Sequence, residues 1–132
     1  METLERIKVM VKAVDDLEYI VDQFGHDHVY VKEPKPGQPA YGNGGCWYVK
    51  DGEPDCLIAK FLFNRGWTIE ELSSCESRSV FSASGDYPDR LTNDEVSILS
   101  TAQQVQDNGK TWGEALRAAK LEAFYLTRQL VR

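Results

Sequence analysis

Apolar residues recur at steps of three and four near the start of the chain: Leu4, Ile7, Val11, Val14 and Val21, with Glu18 breaking the series. Leu17 and Ile20 widen the same face. This period predicts a helix over residues 3–24, and Gly25 is a natural stop because glycine readily takes the left-handed conformation that closes a helix. The pattern then changes. Residues 28–32 (HVYVK) and 46–50 (CWYVK) are rich in β-branched and aromatic side chains, and a Pro/Gly loop at 35–45 separates them. They predict two short strands that pair as a hairpin across a long loop and need a helix to cover them. Helical period returns in EPDCLIAKFLFNRG. There Pro54 suits the first turn, Leu57, Ile58, Phe61 and Leu62 form the apolar face, and Gly66 marks the end.

Three further helix starts carry a capping box, Thr three residues before Glu: Thr68–Glu71, Thr92–Glu95 and Thr111–Glu114. In that motif the Thr oxygen accepts from the Glu backbone N–H, and the Glu carboxylate accepts from the Thr N–H. The helices that follow are predicted at 69–75, 93–107 and 112–131. The polar stretch at 77–90 reads as a loop. The last helix has a heptad seam: Trp112, Leu116, Ala119, Ala123, Leu126 and Leu130 at steps of 4, 3, 4, 3 and 4. Such a seam packs the terminal helices on each other or on the core, or else joins two copies through residues 112–130. The fold class is α+β and mainly helical. About five helices are expected in one domain, 1–132, with a small two-stranded β element between the first and second helices.

Composition narrows the classes of function. A chain of 132 residues buries roughly two-thirds of its unfolded surface and needs no metal or disulfide to hold a core. The net charge of −6 repels nucleic acid at long range. No apolar run reaches the length of a membrane helix, and the charged N-terminus lacks the apolar centre of a secretory signal, so a cytoplasmic protein is expected. Three cysteines cannot all pair within one chain.

The densest stretch, GGCWYVKDGEPDC, brings Cys46 and Cys56 near Trp47 and Tyr48. With His26 and His28 these cysteines could be drawn as a zinc site, but the nine residues between them miss the tight pairs that let two thiolates converge. No metal and no cofactor are therefore expected. Cys56 opens a helix, where a thiol pKa falls, yet a cysteine nucleophile needs a base and only His26 and His28 are candidates. GNGGC is not a phosphate loop, since no Lys-Ser/Thr follows it. Residues 57–81 scan loosely as helix–turn–helix, but 68–90 holds Glu70, Glu71, Glu76, Asp86 and Asp89 against Arg78 and Arg90. That balance is wrong for a reader of DNA.

Two segments carry a resemblance. Cys46, Tyr48, Val49, Pro54 and Cys56, then Gln103, Gln106, Asp107, Gly109, Trp112, Gly113 and Ala115, form the patterns C-x-Y-V…P-x-C and Q-x-x-Q-D-x-G-x-x-W-G-x-A. Together they resemble a group of small proteins encoded by actinobacteriophages, over about half the chain. The resemblance implies a setting rather than a reaction: a phage accessory protein made in the bacterial host cytoplasm. The expectation is a non-enzymatic protein that acts by binding a host protein, with Trp47, Tyr48, Gln106, Asp107 and Trp112 as candidate binding residues. The alternatives are a small-molecule or metal-binding protein or enzyme built on the Cys46–Cys56 region, and a helix–turn–helix regulator.

Overall fold

The computed structural model describes residues 2–31, 48–75 and 89–131. The expected loop at 35–45, residues 77–88 of the expected loop at 77–90, and the residues Cys46 and Trp47 lie outside them. Among the described residues the chain forms five helices and one two-stranded antiparallel sheet, so it is α+β and mainly helical. The elements are α1 (Thr3–Phe24), β1 (Val49–Lys50), β2 (Glu53–Pro54), α2 (Leu57–Asn64), α3 (Ile69–Ser73), α4 (Asn93–Asp107) and α5 (Trp112–Leu130). No helix among them is long and apolar enough to cross a membrane.

All three capping boxes form. Thr68, Thr92 and Thr111 each accept the backbone N–H of the Glu three residues on, and each Glu returns to the Thr N–H. Two of four orphan donors are thereby satisfied at each start. The backbone N–H of Thr68, helped by the charge of Arg90, holds the Glu71 carboxyl below the usual carboxylate range.

The sheet differs from the expected pairing. Val49 opposes Pro54 and Lys50 opposes Glu53, across a two-residue turn at Asp51 and Gly52. Both turn residues have positive φ, 55° and 78°, as a type I′ hairpin turn needs, and Asp-Gly is among the preferred sequences for it. Pro54 therefore ends a strand, and α2 begins at Leu57 with Cys56 as its N-cap. Residues 28–31 do not join this sheet; Val29 makes an isolated antiparallel bridge to Thr111 instead.

The heptad seam of α5 is interior. Trp112, Leu116 and Ala119 are buried, and Ala123, Leu126 and Leu130 pack against the core that α1, α2 and α4 share. The terminal helices run antiparallel, with Lys120 Nζ 3.0 Å from Glu18 Oε2 and the Gly113 N–H donating to the His26 carbonyl at 2.9 Å. Glu18, which interrupts the apolar series of α1, is thus the partner of a Lys on the neighbouring helix. The seam closes within the chain, and α5 leaves a second stripe outside.

One ionic junction ties three helices. Arg65, just past α2, donates to Asp16 Oδ2 of α1 at 3.0 Å and to Glu95 of α4. Its guanidinium also lies 4.6 Å from the centroid of Phe61. Arg6 grips Asp94 with two bonds of 3.0 Å. The helix–turn–helix alternative draws no support from this region. α3 has five residues, Arg65 is held by carboxylates, and Arg90 pairs with Glu71 and lies over Trp67.

Candidate binding surface around Phe24 and Lys60

Gly25, at φ 103°, turns the chain out of α1 and lays residues 26–29 across the start of α5. The first N–H groups of a helix have no partner inside it. Here Trp112 N–H donates to the His28 carbonyl at 2.8 Å and Gly113 N–H to the His26 carbonyl at 2.9 Å. The approach requires glycine at 113, since a Cβ there would stand 2.8 Å from the His26 oxygen. Gly113→Ala should therefore destabilise by about 1–3 kcal/mol through overpacking, although alanine is the better helix former. Chemical denaturation checks this, and a stabilised variant would show that residues 26–29 give way easily.

Trp112 is fully buried behind this segment. It meets Phe24 edge-on, with centroids 5.5 Å apart, and His28 at 4.3 Å. Phe24 in turn carries Lys60, whose Nζ lies 4.5 Å from the ring centroid and donates to the Pro54 carbonyl at 2.8 Å. The Tyr30 hydroxyl donates to Asp55 Oδ2 at 2.9 Å. Helix end, hairpin and α2 are thus pinned together around one aromatic–cation ridge.

Two open hollows flank the ridge, and Phe24 and Lys60 line both. The first, about 280 Å³, runs under His28, Tyr30, Val31, Lys50 and Asp55. The second, about 400 Å³, lies between Ile20, Gln23, Glu53, Phe63 and Asn64. Apolar side chains stand exposed around them: Phe24 at 46%, Phe63 at 44% and Val31 at 74%.

The candidate residues read from the sequence mostly lie beneath this surface. Tyr48 is fully buried, and its hydroxyl accepts from Gln103 Nε2 at 3.0 Å. Gln106 is also fully buried; its Oε1 accepts the Leu57 N–H at 2.9 Å and its Nε2 donates to Asp107 Oδ1 at 2.9 Å. Sulfur is a weak acceptor, and Cys56 makes no capping bond to α2. Gln106 supplies the capping oxygen from α4 instead. Burial takes Tyr48, Gln106 and Trp112 out of a partner's reach and leaves them to support the surface; Trp47 lies outside the described residues.

The four residues of the drawn zinc site have different surroundings. His26 Nε2 is 2.8 Å from Asp22 Oδ1, His28 meets Trp112 edge-on, Cys56 is buried, and Cys46 lies outside the described residues. Among the described residues no group of three or more His, Cys, Asp or Glu is placed to hold a metal.

Phe24, Lys60 and Asp55 were not legible as site residues. Phe24 continues the three-and-four series of α1, three residues after Val21 and four after Ile20, so in the sequence it reads as one more core position. No protein-family model matches this chain, and neither does a curated protein or a solved structure.

Proposed function

We propose that this chain is a non-enzymatic accessory protein of the phage type, acting in the bacterial cytoplasm by binding a host protein through the Phe24–Lys60 surface. The observation that carries this reading is the cluster of exposed Phe24, Phe63, Val29 and Val31 around two hollows that also offer Lys60, Asp55 and Glu53. Protein interfaces combine aromatic anchors with a polar rim in this way, and anchors held rigid before contact lose little entropy on binding. Phe24 is braced by Trp112 from behind and Lys60 from the side. The phage resemblance supplies the host setting.

The test is capture of bacterial proteins by the full chain and by a Phe63→Asp/Val31→Asp variant. Both positions are exposed, so the variant should keep its helical circular dichroism. A specific host protein retained by the wild type and lost by the variant is the expected result. No specific partner, or equal capture by both chains, would remove the proposal.

A second reading rests on the hollow volumes of about 280 and 400 Å³. Ligand pockets span roughly 300–1,000 Å³, so a small molecule beside the hairpin that leads into Cys56 is the alternative occupant.

A further inference from the structure

We infer that two copies of this chain meet through the outer face of the α1–α5 pair, about a two-fold axis beside Val11. A groove of about 260 Å³ opens between the two helices, with Ile7, Val11 and Val14 on one wall and Ala123 and Phe124 on the other. Around it large apolar side chains face solvent: Val11 is 55% exposed, Phe124 61% and Leu121 63%, with Leu4, Tyr125 and Val131 similarly open. A contiguous apolar face of this kind on a folded chain marks a contact surface.

The charges on α1 say what covers it. Leu4, Lys8, Val11 and Asp15 form one outward stripe, at steps of four, three and four. Two neighbouring charge pairs close within the chain, Lys12 with Asp16 at 3.2 Å and Glu18 with Lys120 at 3.0 Å. Among the described residues Lys8 and Asp15 make no ion pair. They lie three residues before and four after Val11, so reversing the helix direction about that point brings each within one residue, about 1.5 Å along the axis, of the other's position. An antiparallel α1–α1 contact therefore sets Lys8 of each copy against Asp15 of the other, twice, with Val11 on Val11 between them. This is the self-complementarity an isologous two-fold interface requires.

The same axis treats α5 consistently. The Glu18–Lys120 and His26–Gly113 contacts fix the register of α5 on α1. That register sets residues 127–128 level with Val11, so Arg128 of each copy lies beside the axis, and Phe124 and Tyr125 face the end of the second copy's α5, at residues 129–131. Arg128 already lies 5.8 Å from the centroid of Phe124 in its own chain, so the mixed aromatic–Arg surface can interleave. Two helix pairs stacked in this way make an antiparallel four-helix layer.

Sedimentation equilibrium of the full chain tests this. A concentration-dependent dimer is expected. Lys8→Asp and Asp15→Lys should each raise the dissociation constant about tenfold, because each creates two like-charge contacts. The double swap Lys8→Asp/Asp15→Lys should return it close to the wild-type value, which no merely structural role of these exposed residues would do. Val11→Glu should leave a folded monomer, verified by circular dichroism. A chain that stays monomeric up to about 100 μM, or a dimer indifferent to the single swaps and to Val11→Glu, overturns the inference. So does failure of the double swap to restore dimerisation. The Phe63→Asp/Val31→Asp variant lies on the other surface and should dimerise normally, so loss of partner binding and loss of the dimer are read separately.

Discussion

Trp112→Ala should cost about 3–5 kcal/mol of folding stability, a large part of the 5–15 kcal/mol that holds an ordinary domain together. The side chain is fully buried and touches three features at once: the end of α1 through Phe24, the segment after it through His28, and the core through its own helix. Truncation removes the aromatic surface and leaves a cavity that the ring edges of Phe24 and His28 cannot fill without leaving their places. Urea unfolding would measure the loss as a fall in midpoint at unchanged slope. The indole N–H has no acceptor among the described residues. Trp112→Phe should therefore lose only part of the volume and sacrifice no hydrogen bond, and fall well short of the alanine variant. If the two variants were equally damaging, an unseen polar partner of Nε1 rather than packing would be the main contribution. Since Trp112 backs Phe24, the alanine variant should also weaken partner capture even where it remains folded.

Arg65→Ala should cost about 2–4 kcal/mol, slightly under the figure for a fully buried pair because the Arg65 side chain keeps 21% exposure. The loss comes less from the attraction itself than from what remains. Glu95 is buried at the start of α4, with one carboxylate oxygen already held by the capping box. Without Arg65 its charge stays in a poorly hydrated place, and Asp16 adds a second negative charge nearby. Arg65→Lys should recover little, since a point charge cannot reach Asp16 and Glu95 with the fork that guanidinium provides. Glu95→Gln in the Arg65→Ala background should regain part of the stability, because the amide oxygen still accepts from Thr92 and the stranded charge is gone. A double-mutant cycle by urea unfolding checks this coupling. A loss under about 1 kcal/mol for Arg65→Ala would place the junction with ordinary surface ion pairs.

The structure also separates what was readable from what was not. The capping boxes were legible because every partner lies within three residues; Thr92 and Glu95 find each other in any helix that starts there. The glycine stop at 25 was legible for a similar reason, since it concerns what a backbone without Cβ permits. The hairpin was half legible. The β-rich composition of 28–32 and 46–50 pairs those two stretches, but Asp51-Gly52 is the stronger local instruction, and a two-residue turn closes with far less loss of chain entropy than a long loop. Val29 instead meets Thr111, which only the packing of α5 against the end of α1 brings near.

The seam of α5 shows the same boundary more sharply. Spacing states that Trp112, Leu116, Ala119, Ala123, Leu126 and Leu130 share a face, and it is silent on what that face meets. The antiparallel approach of α1, fixed by Glu18–Lys120 and His26–Gly113, decided that the seam closes inside the chain and that Leu121, Phe124 and Tyr125 stay outside. Gln106 is the clearest case. In sequence it belongs to a helix end, Asp107-Asn108-Gly109. In the fold it caps a helix 49 residues away, where the Cys56 side chain makes no capping bond. The sequence alone determined the helices, their starts and their apolar faces, because hydrogen bonds within a few residues and the period of the backbone enforce them. The partners of those faces, the role of Gln106 and the ridge of Phe24 and Lys60 were decided only by tertiary structure, where contacts between distant residues depend on the packing of the whole chain.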